Sequence, residues 1–103
     1  FLALLDGGEI DKGFEATSAF HREMWVKEWW VKLNGAQRAA FGPPVNRAVK
    51  SVKPASSVPM QPDGDYYQIS YESSFARKAK AGEFVRVVLE KDQTWRVTEY
   101  SCN

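Results

Sequence analysis

A glycine followed by two prolines, Gly42-Pro43-Pro44, divides the chain into two parts with different hydrophobic periods. Glycine accepts the left-handed conformation that closes a helix, and proline lacks the N–H that another helical turn needs, so no helix passes this point. Before it, apolar residues recur at three- and four-residue steps; after it, they alternate. Helices followed by strands predict an α+β domain, with the helices packed on one face of an antiparallel sheet.

In the first part, Phe1 to Leu5 is a short apolar helical stretch stopped by Asp6-Gly7-Gly8. Glu9 to Glu15 forms one further turn, weakened by Gly13, with Ile10 and Phe14 on a common side. Thr17 or Ser18 then caps a long helix over about 18–41. Its wide apolar stripe is Phe20, Met24, Val26, Trp29, Trp30, Leu33, Gln37, Ala40 and Phe41, and this stripe is predicted to face the sheet. Trp25 falls at the edge of the stripe, and Lys27, Glu28 and Lys32 lie opposite. Asn34-Gly35 is the weak point, where the helix either breaks or approaches the sheet closely enough to need a missing side chain.

In the second part, Val45 to Lys53 reads as a first, edge strand, and Ala55 to Gly64 as a loop closing on the turn Pro62-Asp63-Gly64. Asp65 to Phe75 is the clearest strand, with Tyr67, Ile69, Tyr71 and Phe75 on its buried side and Gln68, Ser70, Glu72 and Ser74 on its wet side. A loop over Ala76 to Gly82 leads to a third strand, Glu83 to Glu90. The fourth is Trp95 to Cys102, with Trp95 and Val97 alternating against Arg96 and Thr98. Short connections make the four strands an antiparallel meander, and residues 1–103 a single domain.

Composition removes several classes of function. Four Trp, six Phe and four Tyr in 103 residues supply a core without disulfides, and the lone Cys102 has no internal partner. Fourteen basic and 13 acidic residues, evenly spread, leave no polybasic face, so no nucleic-acid partner is expected. No run of about 18 apolar residues is present, so no membrane insertion is expected. A zinc site needs four Cys or His ligands, and the chain has only His21 and Cys102. Asp6, Glu9 and Asp11 lack the spacing of a calcium loop and read as solvated acids. Neither a metal nor a cofactor is predicted. No serine sits in a Gly-x-Ser-x-Gly elbow, no motif joins His21 to Cys102, and His21 reads as a solvated or capping imidazole.

Three features remain as candidates for binding. Arg38 lies in the last turn of the long helix, where unpaired carbonyls favour a cation, and it can reach an acid such as Glu83. Its functional alternative is capture of an anionic ligand or partner carboxylate together with Arg47. Trp25 packs under a loop or stays exposed as an aromatic anchor at an interface. With no catalytic constellation, the expected function is a non-catalytic binding module that offers its sheet or a strand edge to a partner protein or to a second copy as a homodimer. The competing expectation is a small hydrolase or isomerase working in a cavity between helices and sheet. It would use Glu72, Glu83 or Glu99 as a base and Arg38 as an anion clamp.

An ordered set of landmarks spans nearly the whole chain: Leu2-Ala3-Leu4-Leu5-Asp6-Gly7-Gly8, Trp30 eight residues before Arg38, Phe41-Gly42, Arg47, Pro59 and Pro62-Asp63-Gly64-Asp65-Tyr66. It continues with Tyr71, Phe75, Glu83 and Trp95-Arg96-Val97-Thr98-Glu99-Tyr100. This set resembles the bacterial domain-of-unknown-function family 4019, and it adds Tyr71 to the candidate binding residues Trp25, Arg38, Arg47 and Glu83. The resemblance implies a small exported protein, periplasmic or extracellular, with a cystatin-like or nuclear-transport-factor-two-like order of helices then curved sheet. A start at Phe1 rather than Met then reads as a processed or truncated terminus. Two departures, Asp92-Gln93 in place of Asp-Gly and Glu99 in place of Gly, imply a looser last turn and a less closely packed last strand.

Overall fold

Beyond Gly42 the chain folds into four strands: β1 (Pro44–Ala55), β2 (Tyr66–Phe75), β3 (Lys78–Leu89) and β4 (Trp95–Cys102). They form one antiparallel sheet in the order β1-β2-β3-β4, the expected meander, with β1 and β4 at its edges. The helical part is α1 (Leu2–Asp6), α2 (Ile10–Glu15), α3 (Ala19–Met24) and α4 (Lys27–Phe41). The structure is a computed structural model and describes every residue from Phe1 to Asn103.

The single helix expected over 18–41 is two helices. Ser18 caps α3 by accepting from the His21 N–H at 3.2 Å, but Trp25 and Val26 are extended, at φ/ψ of −109°/139° and −75°/120°. The reason lies in the spacing of His21 and Trp30. Nine residues are two and a half helical turns, so one continuous helix would send these side chains to opposite faces. The break turns both inward, with their rings edge to face at 5.6 Å. Asn34-Gly35, the expected weak point, is uninterrupted helix, and a Cβ on Gly35 would meet nothing within 4 Å, so no close approach explains that glycine.

The expected apolar stripe is also rotated. Trp29 and Leu33 are 66% and 59% exposed, whereas Trp30 is buried at 1%. The inward line of α4 is Trp30, Asn34, Arg38 and Phe41, four, four and three residues apart. This helix does not lie flat on the sheet. Leu5, Ile10 and Phe14 from α1 and α2 join Trp30, Phe75, Val85, Val97 and Tyr100 in one core, and the Phe1 ring stands 6.2 Å from Trp30 and 5.5 Å from Tyr100. A Cβ on Gly13 would come within 2.7 Å of Leu5 Cδ2, so the residue that weakens α2 as a helix is what lets it press against α1.

In the sheet, Ser73 shares the inner face with Tyr71 and Phe75. β3 begins at Lys78, so the loop expected over 76–82 shrinks to a tight turn at Ala76-Arg77. Alternating Lys and Ala carries no strand signal of its own. Here pairing to β2 holds it, and Arg77 fastens the turn to α4 by donating to the carbonyls of Phe41, Ala40 and Ala39. In β4 the register against β3 shifts at Thr98: Val97 faces Val87 but Glu99 faces Arg86. The extra residue is a bulge that restores Tyr100 and Cys102 to the side of Val97 and buries Thr98, which the alternation had placed on the wet side.

Because Trp30 is enclosed and Trp29 is not, Trp30→Ala is expected to lower stability by about 3–5 kcal/mol. Trp29→Ala should cost less than about 1 kcal/mol, both read from denaturant unfolding midpoints. Similar losses at the two positions would contradict this packing.

A buried charge cluster and an open groove

Two sites separate the candidate residues. The first lies where α1, α4, β1 and β3 meet. The Glu83 side chain, on the inner face of β3, is fully closed off from solvent. Bare burial of a carboxylate is prohibitive unless each oxygen is paired. Its Oε1 accepts from Arg47 Nε at 2.7 Å and Ser73 Oγ at 2.6 Å; its Oε2 accepts from Tyr100 Oη at 2.6 Å and Arg38 Nη2 at 3.2 Å. Asp6, at the end of α1, completes the cluster by accepting from Arg47 Nη1 and Nη2 at 2.9 and 3.0 Å and from Arg38 Nη1. Arg38 also lies over the Phe75 ring at 5.2 Å. Two acids and two arginines thus cancel.

Burial alone would raise the pKa of Glu83, but the hydrogen bonds from Arg47, Ser73 and Tyr100 outweigh it and hold the carboxyl below its ordinary value. Asp6 behaves alike, with Arg47 and Arg38 overcoming its desolvation. Burial, then the bond to Glu83, pushes the Tyr100 hydroxyl well above its ordinary value.

The structure therefore joins three of the five candidate residues, Arg38, Arg47 and Glu83, and leaves Tyr71 and Trp25 outside. Arg38 does reach Glu83, and the donors that an anionic ligand would need are already engaged. Tyr71 sits on the inner face opposite Val49 and Glu83, beside a small apolar hollow that Phe1 and Leu2 also line. Asp6 is corrected from a solvated acid to the bridge between the two arginines. Ser73 and Tyr100 carried no signal as hydrogen-bonding residues beyond their parity, and the parity of Tyr100 depends on the bulge.

The second site is a groove of about 760 Å³ between α3–α4 and the outer edge of β4, closed at one side by residues 59–61. Met24, Trp25, Leu33 and Met60 line it at 62%, 41%, 59% and 89% exposure. Trp25 is accordingly at an open surface. His21 also lines the groove, but it is 3% exposed rather than solvated, packed among Phe14, Trp25 and Trp30 at ring distances of 5.7, 6.3 and 5.6 Å. Its Nδ1 is buried without a hydrogen-bond partner. Burial, assisted by the neighbouring Arg22 charge, lowers its pKa to about 4. Cys102 lines the same groove, and burial, then the Glu83 charge, raises its thiol pKa. A neutral imidazole and a protonated thiol are the reverse of the thiolate–imidazolium pair of nucleophilic catalysis.

Glu83→Gln leaves two buried guanidiniums facing one acid and is expected to cost about 3–5 kcal/mol in denaturant unfolding. A cost below about 1 kcal/mol would contradict the pairing. For His21 the sign is the opposite of a salt-bridged histidine. Between pH 6.5 and about 4 the unfolded chain takes up a proton that the native chain refuses, so stability falls as pH falls, by about 3 kcal/mol across that window. The contributions of Asp6 and Glu83 are present above their ordinary carboxyl values and are lost as pH falls through their depressed native ones. Comparing His21→Phe with the parent over pH 4–7 isolates the imidazole: the variant is expected to lose less stability, and parallel curves would contradict its burial in neutral form.

The model of a family described as a protein of unknown function, DUF4019, matches residues 1–100. No curated protein and no solved structure matches the chain. Asp6, Arg38, Arg47, Ser73, Glu83 and Tyr100, the residues of the buried cluster, all lie within the matched span. With all but the last three of its 103 residues inside that match, the chain belongs to the DUF4019 family of proteins of unknown function.

Proposed function

We propose that this domain is a non-catalytic binding module that receives an apolar part of a partner in the groove between α3–α4 and β4. One observation carries the reading. Met24, Trp25, Leu33 and Met60, four of the large apolar side chains left outside the core, converge on one concavity instead of being scattered. The state of the acids supports the non-catalytic half. A general base needs a reachable carboxylate with a raised pKa, whereas Glu83 is sealed, saturated and lowered. Glu72 and Glu99 are exposed. A hydrolase or isomerase built on Glu83 and Arg38 would have to break the cluster before it could bind its substrate.

Export to the periplasm or beyond, and a cystatin-like or nuclear-transport-factor-two-like arrangement of the fold, rest on the family resemblance. For self-association the two edges of the sheet are not equivalent. β1 carries Arg47, Lys50 and Lys53, has proline at Pro44 and Pro54, and breaks register twice, devices that blunt an edge against pairing.

The test is uptake of 1-anilinonaphthalene, an uncharged apolar dye, by the native domain. Saturable binding with quenching of tryptophan emission is expected, and Leu33→Glu should weaken it by about tenfold without moving the unfolding midpoint. No uptake by the native parent, or equal uptake by the variant, would contradict the reading.

A further inference from the structure

The groove has one wall that is not made of side chains. β4 is the last strand of the sheet, and its outward edge is bridged only at Val97, by Thr17. Gly82 and Asn103 exchange both backbone bonds, at 2.8 and 3.0 Å, which sets the antiparallel alternation. Ser101 opposite Phe84, and Glu99 opposite Arg86, are then the bonded pairs, and Tyr100 and Cys102 turn their N–H and C=O groups outward. The two ends of this outward edge are capped: Ser18 N–H donates to the Val97 carbonyl at 2.7 Å, and Gln37 Nε2 donates to the Cys102 carbonyl at 2.5 Å. Between the caps, this alternation turns the N–H and C=O of Tyr100 and the N–H of Cys102 toward the groove that both residues line, each residue 9% exposed.

Two further features describe what fits there. The charged side chains lining the groove are Arg86 and Glu99, which pair at 3.2 Å, and Gln68 also accepts from Arg86 at 2.8 Å, so the site matches an uncharged occupant. His21, which lines the groove, has its Nδ1 enclosed without a hydrogen-bond partner, so the wall holds one unsatisfied polar atom. A small apolar molecule would cover Met24, Trp25 and Leu33 but leave the strand edge unpaired. A backbone in extended form satisfies the edge, and its alternating side chains reach the apolar wall.

We propose that the occupant of the groove is an extended, uncharged segment of another protein, which adds to the sheet as a fifth strand along β4 and bonds to the backbone at Tyr100; this rests on the groove reading above. The probe is an acetylated and amidated hexapeptide of alternating Val and Thr, added to the ¹⁵N-labelled domain. Saturable binding is expected, with slowed hydrogen exchange at the Tyr100 amide and displacement of the anilinonaphthalene dye. An added strand has only one edge toward β4. Of the two peptides N-methylated at every second residue, one should therefore bind like the parent and the other about tenfold more weakly. Dye displacement with Tyr100 exchange unchanged, or equal binding of both methylated forms and the parent, would overturn strand addition while leaving the groove as a binding site. Failure of both dye and peptide to bind would overturn both. A concentration-dependent dimer in sedimentation, with the Tyr100 amide already protected before peptide is added, would assign the edge to a second copy and overturn the external partner.

Discussion

Glu83 is sealed from solvent, and what satisfies it decides how five other elements of the chain meet around β3. Its oxygens are shared among α4 through Arg38, β1 through Arg47, β2 through Ser73 and β4 through Tyr100, and α1 joins through Asp6 on the same two arginines. A pure apolar interface between helix and sheet tolerates sliding, because dispersion has little direction. A carboxylate with four donors does not, since moving any one of them strands a buried charge. The orientation of α4 follows from this. It presents the line Trp30–Asn34–Arg38–Phe41 to the interior, and the more hydrophobic line through Trp29 and Leu33 is turned away.

That rotation links the buried cluster to the surface. Had the apolar stripe been laid on the sheet, Leu33 would sit in the core and the groove would have lost one wall. Instead the core is completed by Leu5, Ile10 and Phe14, and Leu33, turned out of it, lines the concavity beside β4. The break at Trp25-Val26 acts in the same direction, because it turns His21 inward to Trp30 and leaves Met24 and Trp25 at the mouth of the groove.

Much of this was legible in the sequence. The α+β class, the helix stop at Gly42, the meander and the reach of Arg38 to Glu83 follow from period, capping chemistry and spacing. Three things were not. The rotation of α4 depends on a carboxylate more than forty residues away, and no local window contains both. The bulge at Thr98 has no glycine to mark it, so the parity of Tyr100, and with it a hydroxyl on Glu83, could not be assigned from alternation. Asp6, standing before two glycines, reads as a turn residue until β1 supplies Arg47. In each case a long-range polar contact overrides a local preference, which is why Trp29 looked as much a core residue as Trp30.

The central claim is that Glu83 stays ionised inside the protein because its neighbours hold it so. It is tested most directly by following the Glu83 carboxyl carbon by NMR through an acid titration of the native domain. The account predicts a midpoint below the ordinary value of 4.5, despite complete enclosure of the side chain. A midpoint above that value would mean that burial wins, that the arginines do not close on the carboxylate, and that the helices are held to the sheet by something else.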